Sequence, residues 1–424
     1  MYFCCQKGLC LWLRSTHIMS GCRKYGCGFC VTFNRIKNAP LSGLGLSLGS
    51  VGAGVVVNLL STLLDWPYMN YLIAIPLYTL AASYITFYLI QAACFPSQLL
   101  KNFQDSHAIS GYAALAMAIA LAFQSLFEII PFSVNVLWAS AAFLFLIMLP
   151  FLKIVLWDKL SFPEPDWFPP LVGVAILGWT GVLADSSWSF VETMIWMPTI
   201  FTFLLLPPVV YHVLKDDQNV KNSTVNILQA PVPLVSIVWF QVGGSTWFTE
   251  YGNMVMIYFL FCLANVAFGI CCYAVFVRRK DLWNQMGHAW AGFTFPTIST
   301  CNMSLQFWNC LRTENSVTCR IPLRLENPDA QRRTEIAVLV WASLLCCVLL
   351  PIVIVILFGS TAQLLYFIVK KQQNETPSAT DTQMDQTEKE KKAANITNTT
   401  SRNEDVVLRE EGIRTDETEK VAMS

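Results

Sequence analysis

The chain has 424 residues, of which 54% are apolar and only 13% are charged, about half the charged share of an ordinary soluble domain. Lysine plus arginine equals aspartate plus glutamate, at 28 each, so net charge indicates neither a nucleic-acid partner nor an acidic substrate. The composition excludes a water-soluble globular fold and predicts an all-α integral membrane protein, with the lipid bilayer as its solvent.

The first 34 residues are predicted to be a cysteine-rich cytosolic segment. Its spacing lacks the paired Cys and His pattern of a zinc module. Two interpretations stay open: acylation beside a membrane, and an unstructured leader with Met19 as the true start. The six cysteines are Cys4, Cys5, Cys10, Cys22, Cys27 and Cys30.

Crossing about 30 Å of hydrocarbon takes about 20 apolar residues in a helix, and ten uncharged runs approach that length. A domain of ten transmembrane helices is therefore predicted over residues 35–370. The approximate ranges are 41–60, 71–94, 111–127, 134–152, 168–184, 191–213, 227–242, 254–277, 283–300 and 336–369.

Basic residues are distributed unevenly between alternate connections, which orients a membrane protein. The connections after the first, third, fifth and seventh runs contain no Lys or Arg, whereas those after the even-numbered runs do. Both termini are therefore predicted to be cytosolic, with five helical hairpins whose tight turns face outward. For the acids in those turns, helix capping and ion binding both stay open; they are Asp65, Glu128, Asp185 and Glu250.

Two polar segments lie at the end of this domain. Residues 304–335 are predicted to form an extracytosolic loop, where Cys310 and Cys319 can form a disulfide because that compartment is oxidising. Residues 371–424 are charged, rich in Thr and nearly free of aromatics, which predicts a disordered cytosolic tail. Phosphorylation of this tail is expected to be regulatory.

Signatures of catalysis such as HExxH are missing from the sequence, so no enzyme activity, cofactor or metal is predicted. No acid or base lies near the centre of any run, although such residues mark proton relays and cation sites. Helix-end dipoles, polar backbone at kinks and small hydroxyl groups remain to stabilise a passing ion. Those devices suit a weakly bound anion.

Glycine concentrates on the odd-numbered runs. This clustering favours an inner ring of five helices inside an outer ring of five, although close packing through small residues is the alternative at any single position. The Gly and Pro residues concerned are Gly43, Gly45, Gly49, Gly52, Gly54, Pro169, Pro170, Gly173, Gly178, Gly181, Pro231, Pro233, Gly287, Gly292 and Pro296.

Four segments carry a family resemblance: Asn38 to Pro40, Pro165 to Gly173, Gln229 to Pro231, and Trp290 to Pro296. In these the chain resembles the family of bacterial tellurite-resistance protein A, the plant slow-type anion channel and the fungal malate and sulfite transporters. The resemblance implies five hairpins in a quasi-fivefold ring, a homotrimer with one pore per subunit, and a phenylalanine that plugs the pore. Val174, where the family often has Asn, and the long Arg-bearing loop are departures that leave selectivity open.

The implied plug corresponds to Phe295. At helical spacing its neighbours are small or polar, as a narrow pore closed by one ring requires; an ordinary core aromatic is the alternative. Phe293 points elsewhere and is predicted to pack. The residues predicted to line or kink the path are Ala291, Gly292, Thr294, Pro296, Ser299, Gly45, Gly49, Pro169, Gly173 and Pro231.

His288 lies near the predicted inner mouth, on the Phe295 face. An unperturbed imidazole titrates at about pH 6.5, so His288 is predicted to tune conduction with cytosolic pH. A neutral histidine that bonds near the helix start is the alternative.

Three functions follow from the sequence. A gated channel for small inorganic anions such as chloride or nitrate comes first. A carrier for malate, other C4-dicarboxylates or sulfite, with proton coupling, is the alternative, and a receptor or scaffold that signals through the tail is the third. The plasma membrane is the default location.

Overall fold

The computed structural model describes residues 37, 39–41, 43–125, 133–155, 163–215, 222–279, 291–312, 323, 325 and 327–369. Within these ranges the chain is helical and contains no β-strand. The compact unit formed by the helices ends at Ile368. The predicted cysteine-rich segment, the predicted tail and His288 lie outside the described residues.

Ten long helices follow one another in this part of the chain. They are α1 (Gly43–Leu63), α2 (Asn70–Cys94), α3 (Ser106–Ser125), α4 (Ser133–Lys153), α5 (Pro165–Leu183), α6 (Trp188–Leu214), α7 (Val225–Val242), α8 (Glu250–Val277), α9 (Ala291–Arg312) and α10 (Pro328–Val369). A short helix, Pro96–Asn102, joins α2 to α3. All of the long helices except α9 are long and apolar enough to cross a membrane.

Helix α9 departs most from its predicted range. Its described part runs from Ala291 to Arg312, so that residues 304–312, predicted as loop, are helical. Polar residues such as Ser304 and Gln306 lower the apolarity of this stretch, yet both side chains are buried. A helix needs an apolar surface where it contacts lipid. Because α9 contacts other helices, its lower apolarity does not prevent its burial.

Helix α10 also extends into the predicted loop, because it begins at Pro328 rather than at 336. Its 42 residues make it about 63 Å long at 1.5 Å per residue, about twice the hydrocarbon thickness. The first turns are polar and include exposed Asp329, Arg332 and Arg333. Loop prediction from charge alone missed this helical extension.

Odd-numbered and even-numbered helices differ in burial. In the apolar stretch of each helix, the buried share of residues is 72%, 61%, 78% and 89% in α1, α3, α5 and α7. The corresponding shares in the even-numbered helices lie between 28% and 39%. Helix α9 is buried from Thr294 to Cys301. The chain therefore alternates between interior and peripheral helices.

The surface of the peripheral helices suits a bilayer. Apolar side chains are exposed along them, and exposed aromatic rings lie at the turns between α1 and α2, between α5 and α6, and between α7 and α8. Trp and Tyr prefer the interface between membrane and water, so this is a multi-pass integral membrane protein. The exposed residues include Leu72, Leu146, Leu204, Val266 and Val355 along the helices, and Trp66, Tyr68, Trp188, Trp247 and Tyr251 at the turns.

Two acids in the predicted outward turns end helices. Asp65 and Asp185 have φ values of 51° and 48°, in the left-handed region that Asp tolerates better than most residues. The N–H of Trp66 donates to the carbonyl of Ser61 at 2.9 Å, and the equivalent bond after Asp185 is also 2.9 Å. This is the Schellman pattern, so Asp65 ends α1 and Asp185 ends α5.

Glycines allow α1 to pack closely along α9. A methyl group on Gly49 would overlap the side chain of Thr294. One on Gly52 would lie 3.1 Å from Ile298 and 3.3 Å from the Phe295 ring. The backbone of α1 therefore approaches α9 where those side chains stand, as small residues permit in membranes.

We expect Gly49→Ala to destabilise the protein, because the added methyl group has no room beside Thr294. Overpacking of this kind costs about 1–3 kcal/mol, more than the roughly 1 kcal/mol that alanine gains over glycine in a helix. Thermal unfolding and the yield of monodisperse protein in detergent measure the effect. The control is Gly269→Ala in α8, where nothing lies within 4 Å of the added group; equal stability of the two variants would contradict the packing described here.

Candidate functional site

A cavity of about 190 Å³ lies among the interior helices. Among the residues that the structure describes, its lining comes from α1, α3, α5, α7 and α9, and none comes from an even-numbered helix. The lining residues are Gly52, Val55, Leu121, Gln124, Ser125, Ile176, Trp179, Leu234, Ile237, Val238, Gln241, Phe295, Ile298, Ser299 and Asn302.

Each helix presents one face to this cavity. On α9 the lining residues are Phe295, Ile298, Ser299 and Asn302, which are spaced three, four and seven residues from the first. Side chains at this spacing lie on the same side of a helix. The same spacing recurs in α7 from Leu234 to Gln241. The cavity is therefore bounded along the helix axes for about two turns.

The described lining is uncharged. Its polar side chains are amides and hydroxyl groups, and no Asp, Glu, Lys, Arg or His occurs among them. The Ser299 hydroxyl donates to the carbonyl of Pro296 at 2.7 Å. An ion in the cavity would therefore meet neutral hydrogen-bonding groups rather than a fixed opposite charge, which favours weak binding.

Phe295 supplies the largest apolar ring that α9 presents to the cavity. Only 8% of its surface is exposed, and Gly52 of α1 leaves the space into which its ring fits. Pro296 follows within the helix; because proline has no N–H, the carbonyl of Gly292 lacks its usual helical donor. The ring thus stands where α9 has lost one backbone hydrogen bond.

Helices α5 and α7 change winding along their length. In α5 the α-helix gives way to a 3₁₀ turn at Gly173–Ala175, and the first residues of α7 belong to the 3₁₀ segment Asn222–Gln229. The α-helical part of α7 starts at Pro231, and Pro169 lies in the first turn of an α-helical part of α5. The residues predicted to kink the path therefore lie where winding changes or begins.

The predicted site residues on α1 and α9 divide into three groups. Phe295 and Ser299 line the cavity. Gly49 and Thr294, predicted to line it too, face each other between α1 and α9 instead. The remainder, which are not among the lining residues, are half-buried Gly45 and Gly292, buried Pro296, and Ala291 at the start of α9, whose side chain is outside the description.

Thirteen of the fifteen lining residues were not predicted as site residues, among them the amides Gln124, Gln241 and Asn302. The amides among them carried a signal, since each is an isolated polar side chain in or beside an apolar run. Gln124 donates to the carbonyl of Ile176 and to the hydroxyl of Thr180, both at 2.9 Å. It thereby joins α3 to α5 at the wall of the cavity.

Away from the cavity, His107, Glu164 and Asp166 converge where α3 and α5 begin. They form the one group among the described residues in which at least three His, Cys, Asp or Glu side chains could hold a metal ion. None of the three was predicted to form a site.

Comparison with models of known protein families finds no match, and comparison with curated protein sequences finds none either. The cavity and its lining therefore carry the functional conclusion.

We expect Gln124→Leu to lower stability, because the Ile176 carbonyl and the Thr180 hydroxyl would lose a donor at a buried contact between α3 and α5. A lost buried partner costs about 1–3 kcal/mol. Thermal unfolding in detergent measures the loss. Gln98→Leu is the control, since Gln98 bonds only to nearby Asn102 in the short helix; a change as large in the control would refute the bridging role of Gln124.

Proposed function

We propose that this protein is a channel through which small inorganic anions cross the membrane, by a path between its five interior helices. The observation that carries the proposal is the cavity bounded by α1, α3, α5, α7 and α9, with Phe295 on its wall. A path must be insulated from lipid, and the peripheral helices provide that insulation.

Contacts between the interior helices support a ring. Helix α1 contacts α3, α3 contacts α5, α5 contacts α7, α7 contacts α9, and α9 contacts α1. Five helices that touch in this cyclic order around a common cavity are what a quasi-fivefold arrangement requires. We propose that the cavity is the central part of a pore along the axis of that ring.

The neutral wall favours an anion over a cation. Carboxylate rings select cations in channels, and the described lining contains no carboxylate. The amide groups of Gln124, Gln241 and Asn302 offer N–H donors, and the proline in α9 interrupts the helix nearby. A proton-coupled carrier for malate or sulfite needs a titratable group in the path. The described lining has none, and His288 lies outside the described residues, so the carrier stays the alternative to the channel.

We propose that Phe295 closes the path. Its ring is held between Gly52 and the cavity, and the break in backbone bonding at Pro296 leaves this part of α9 easier to deform than a regular helix. A small movement of the Phe295 ring would then connect the cavity to the rest of the proposed path between the interior helices. The resemblance to the tellurite-resistance and slow-type anion channel family supports the same assignment.

The orientation belongs to the proposal as well. Lys153, Lys215 and Arg278 stand at the ends of α4, α6 and α8, and a cytosolic location suits them. Cys310, near the end of α9, is disulfide-bonded, which suits an oxidising compartment; its predicted partner Cys319 lies outside the described residues. We propose cytosolic termini, a homotrimer on the strength of the resemblance alone, and the plasma membrane by default.

We expect Phe295→Ala to raise basal anion flux, because removal of the ring enlarges the cavity where Phe295 lines it. Purified protein reconstituted in liposomes, with chloride and nitrate efflux measured separately, provides the test. The folded yield should fall less than after truncation of a ring packed on all sides, because part of the Phe295 ring borders the cavity.

The matched control is Phe307→Ala on the same helix. Phe307 is 1% exposed and stacks on Phe261 with ring centroids 4.0 Å apart, so its truncation should cost about 3–5 kcal/mol and lower the folded yield. Half-buried Phe293→Ala should leave flux unchanged. If Phe295→Ala behaves like Phe307→Ala and flux stays at the parent level, Phe295 is a core residue and the proposed gate is wrong.

A further inference from the structure

Three side chains that the proposed anion path does not use converge at one end of the interior helices. One ligand atom from each of His107, Glu164 and Asp166 lies within 4.8 Å of the others. His107 is the second residue of α3, and the two acids flank Pro165 at the start of α5. At 1.5 Å per residue, His107 is about 21 Å along α3 from Leu121 of the cavity.

The backbone fixes the two acids before any ligand is considered. Glu164 is extended, with φ −109° and ψ 159°, and its carbonyl accepts the N–H of Trp167 at 3.0 Å. Asp166 stands inside the 3₁₀ turn that follows. The Trp167 ring packs edge-on against Phe151 of α4, with centroids 6.0 Å apart, and thereby anchors the turn. Both carboxylates are thus presented to α3 by an ordered turn.

The carboxylates of Asp166 and Glu164 lie beside different nitrogens of the His107 imidazole. Asp166 Oδ2 is hydrogen-bonded to His107 Nδ1, and Glu164 Oε2 lies 3.8 Å from Nε2. A distance of 3.8 Å is too long for a hydrogen bond. The Asp166 side chain is 7% exposed, whereas those of His107 and Glu164 are 29% and 30% exposed. His107 Nδ1 is therefore hydrogen-bonded to the buried carboxylate of Asp166. Nε2 faces the Glu164 carboxylate, which is partly exposed to water.

We propose that a divalent transition-metal ion of the zinc type binds between His107 Nε2 and the Glu164 carboxylate. Ligand atoms at about 2.0–2.2 Å from a tetrahedral Zn²⁺ are roughly 3.3–3.6 Å apart, within a few tenths of an ångström of the observed 3.8 Å. Water completes the coordination on the exposed side. Mg²⁺ and Ca²⁺ prefer oxygen ligands throughout and fit this pair poorly.

Asp166 is a positioning residue in this site. A histidine that binds metal through one nitrogen usually donates its other N–H to a carboxylate, which fixes the ring and its tautomer. Asp166 provides that group from a buried position. Because His107 belongs to α3 and Glu164 precedes α5, the bound ion would cross-link the starts of two interior helices.

Zinc binding to the full-length protein in detergent tests this inference without any flux measurement. The six cysteines of the N-terminal segment are replaced by serine in every sample, so that their thiols do not contribute. After treatment with EDTA, we expect ZnCl₂ to bind at one ion per chain by isothermal titration calorimetry and to raise the unfolding temperature. MgCl₂ should do neither.

The variants separate the three roles. His107→Ala and Glu164→Gln should abolish binding, Asp166→Asn should weaken it by about 10- to 100-fold, and His212→Ala in α6 should leave it unchanged. Glu164→Gln keeps the size of a partly exposed side chain, so a folded protein is expected for this variant in particular.

Parent-like zinc binding by Glu164→Gln, or no zinc binding by the parent, would overturn the proposed site and leave an ordinary pairing of histidine with acids. The outcome is independent of the channel proposal. Zinc binding without anion flux would overturn only the channel, and flux without zinc binding would overturn only this site.

Discussion

The close approach of α1 to α9 is the contact on which the rest of the structure depends. Hydrocarbon offers no hydrogen bonds, so a helix with as many polar side chains as α9 cannot face lipid without a large cost. Gly49 and Gly52 let α1 lie directly against Thr294 and Phe295, and α7 and α8 also contact α9. Because other helices enclose α9, its polar side chains can line a cavity and are not exposed to lipid.

The enclosure explains why the even-numbered helices are chemically simple. Their exposed side chains have only to match lipid tails, which long apolar runs achieve. The interior helices meet other helices, and there small residues, amides and changes in winding are tolerated because neighbouring side chains can hydrogen-bond to the backbone. Gln124, which satisfies the carbonyl of Ile176 from another helix, is an example. Helices with different neighbours therefore carry different chemistry.

Apolar runs predicted nine of the helices well, because length and apolarity are what a bilayer demands. The ninth run was predicted to end at 300, whereas α9 continues to Arg312, since hydropathy underestimates a helix that other helices surround. The family resemblance pointed to Phe295 and helical spacing around it to Ser299, and both line the cavity. Helical spacing did not find Gln241 or Asn302, because the inward direction of a helix depends on neighbours that one sequence does not reveal. His107 and Asp166 stand 59 residues apart in the chain, and only the packing of α3 on α5 brings them together.

The length of α10 has a mechanical consequence. Its polar first turns continue without interruption into the apolar part as far as Pro351, where a missing backbone donor makes the helix easiest to bend. The segment before that proline is a stiff rod, so torque applied at its polar end is transmitted along it. Gln331, in that end, donates to the carbonyl of Leu311 at 2.8 Å. A force on the polar end of α10 therefore also acts, through the bond from Gln331 to Leu311, on α9, the helix that carries Phe295.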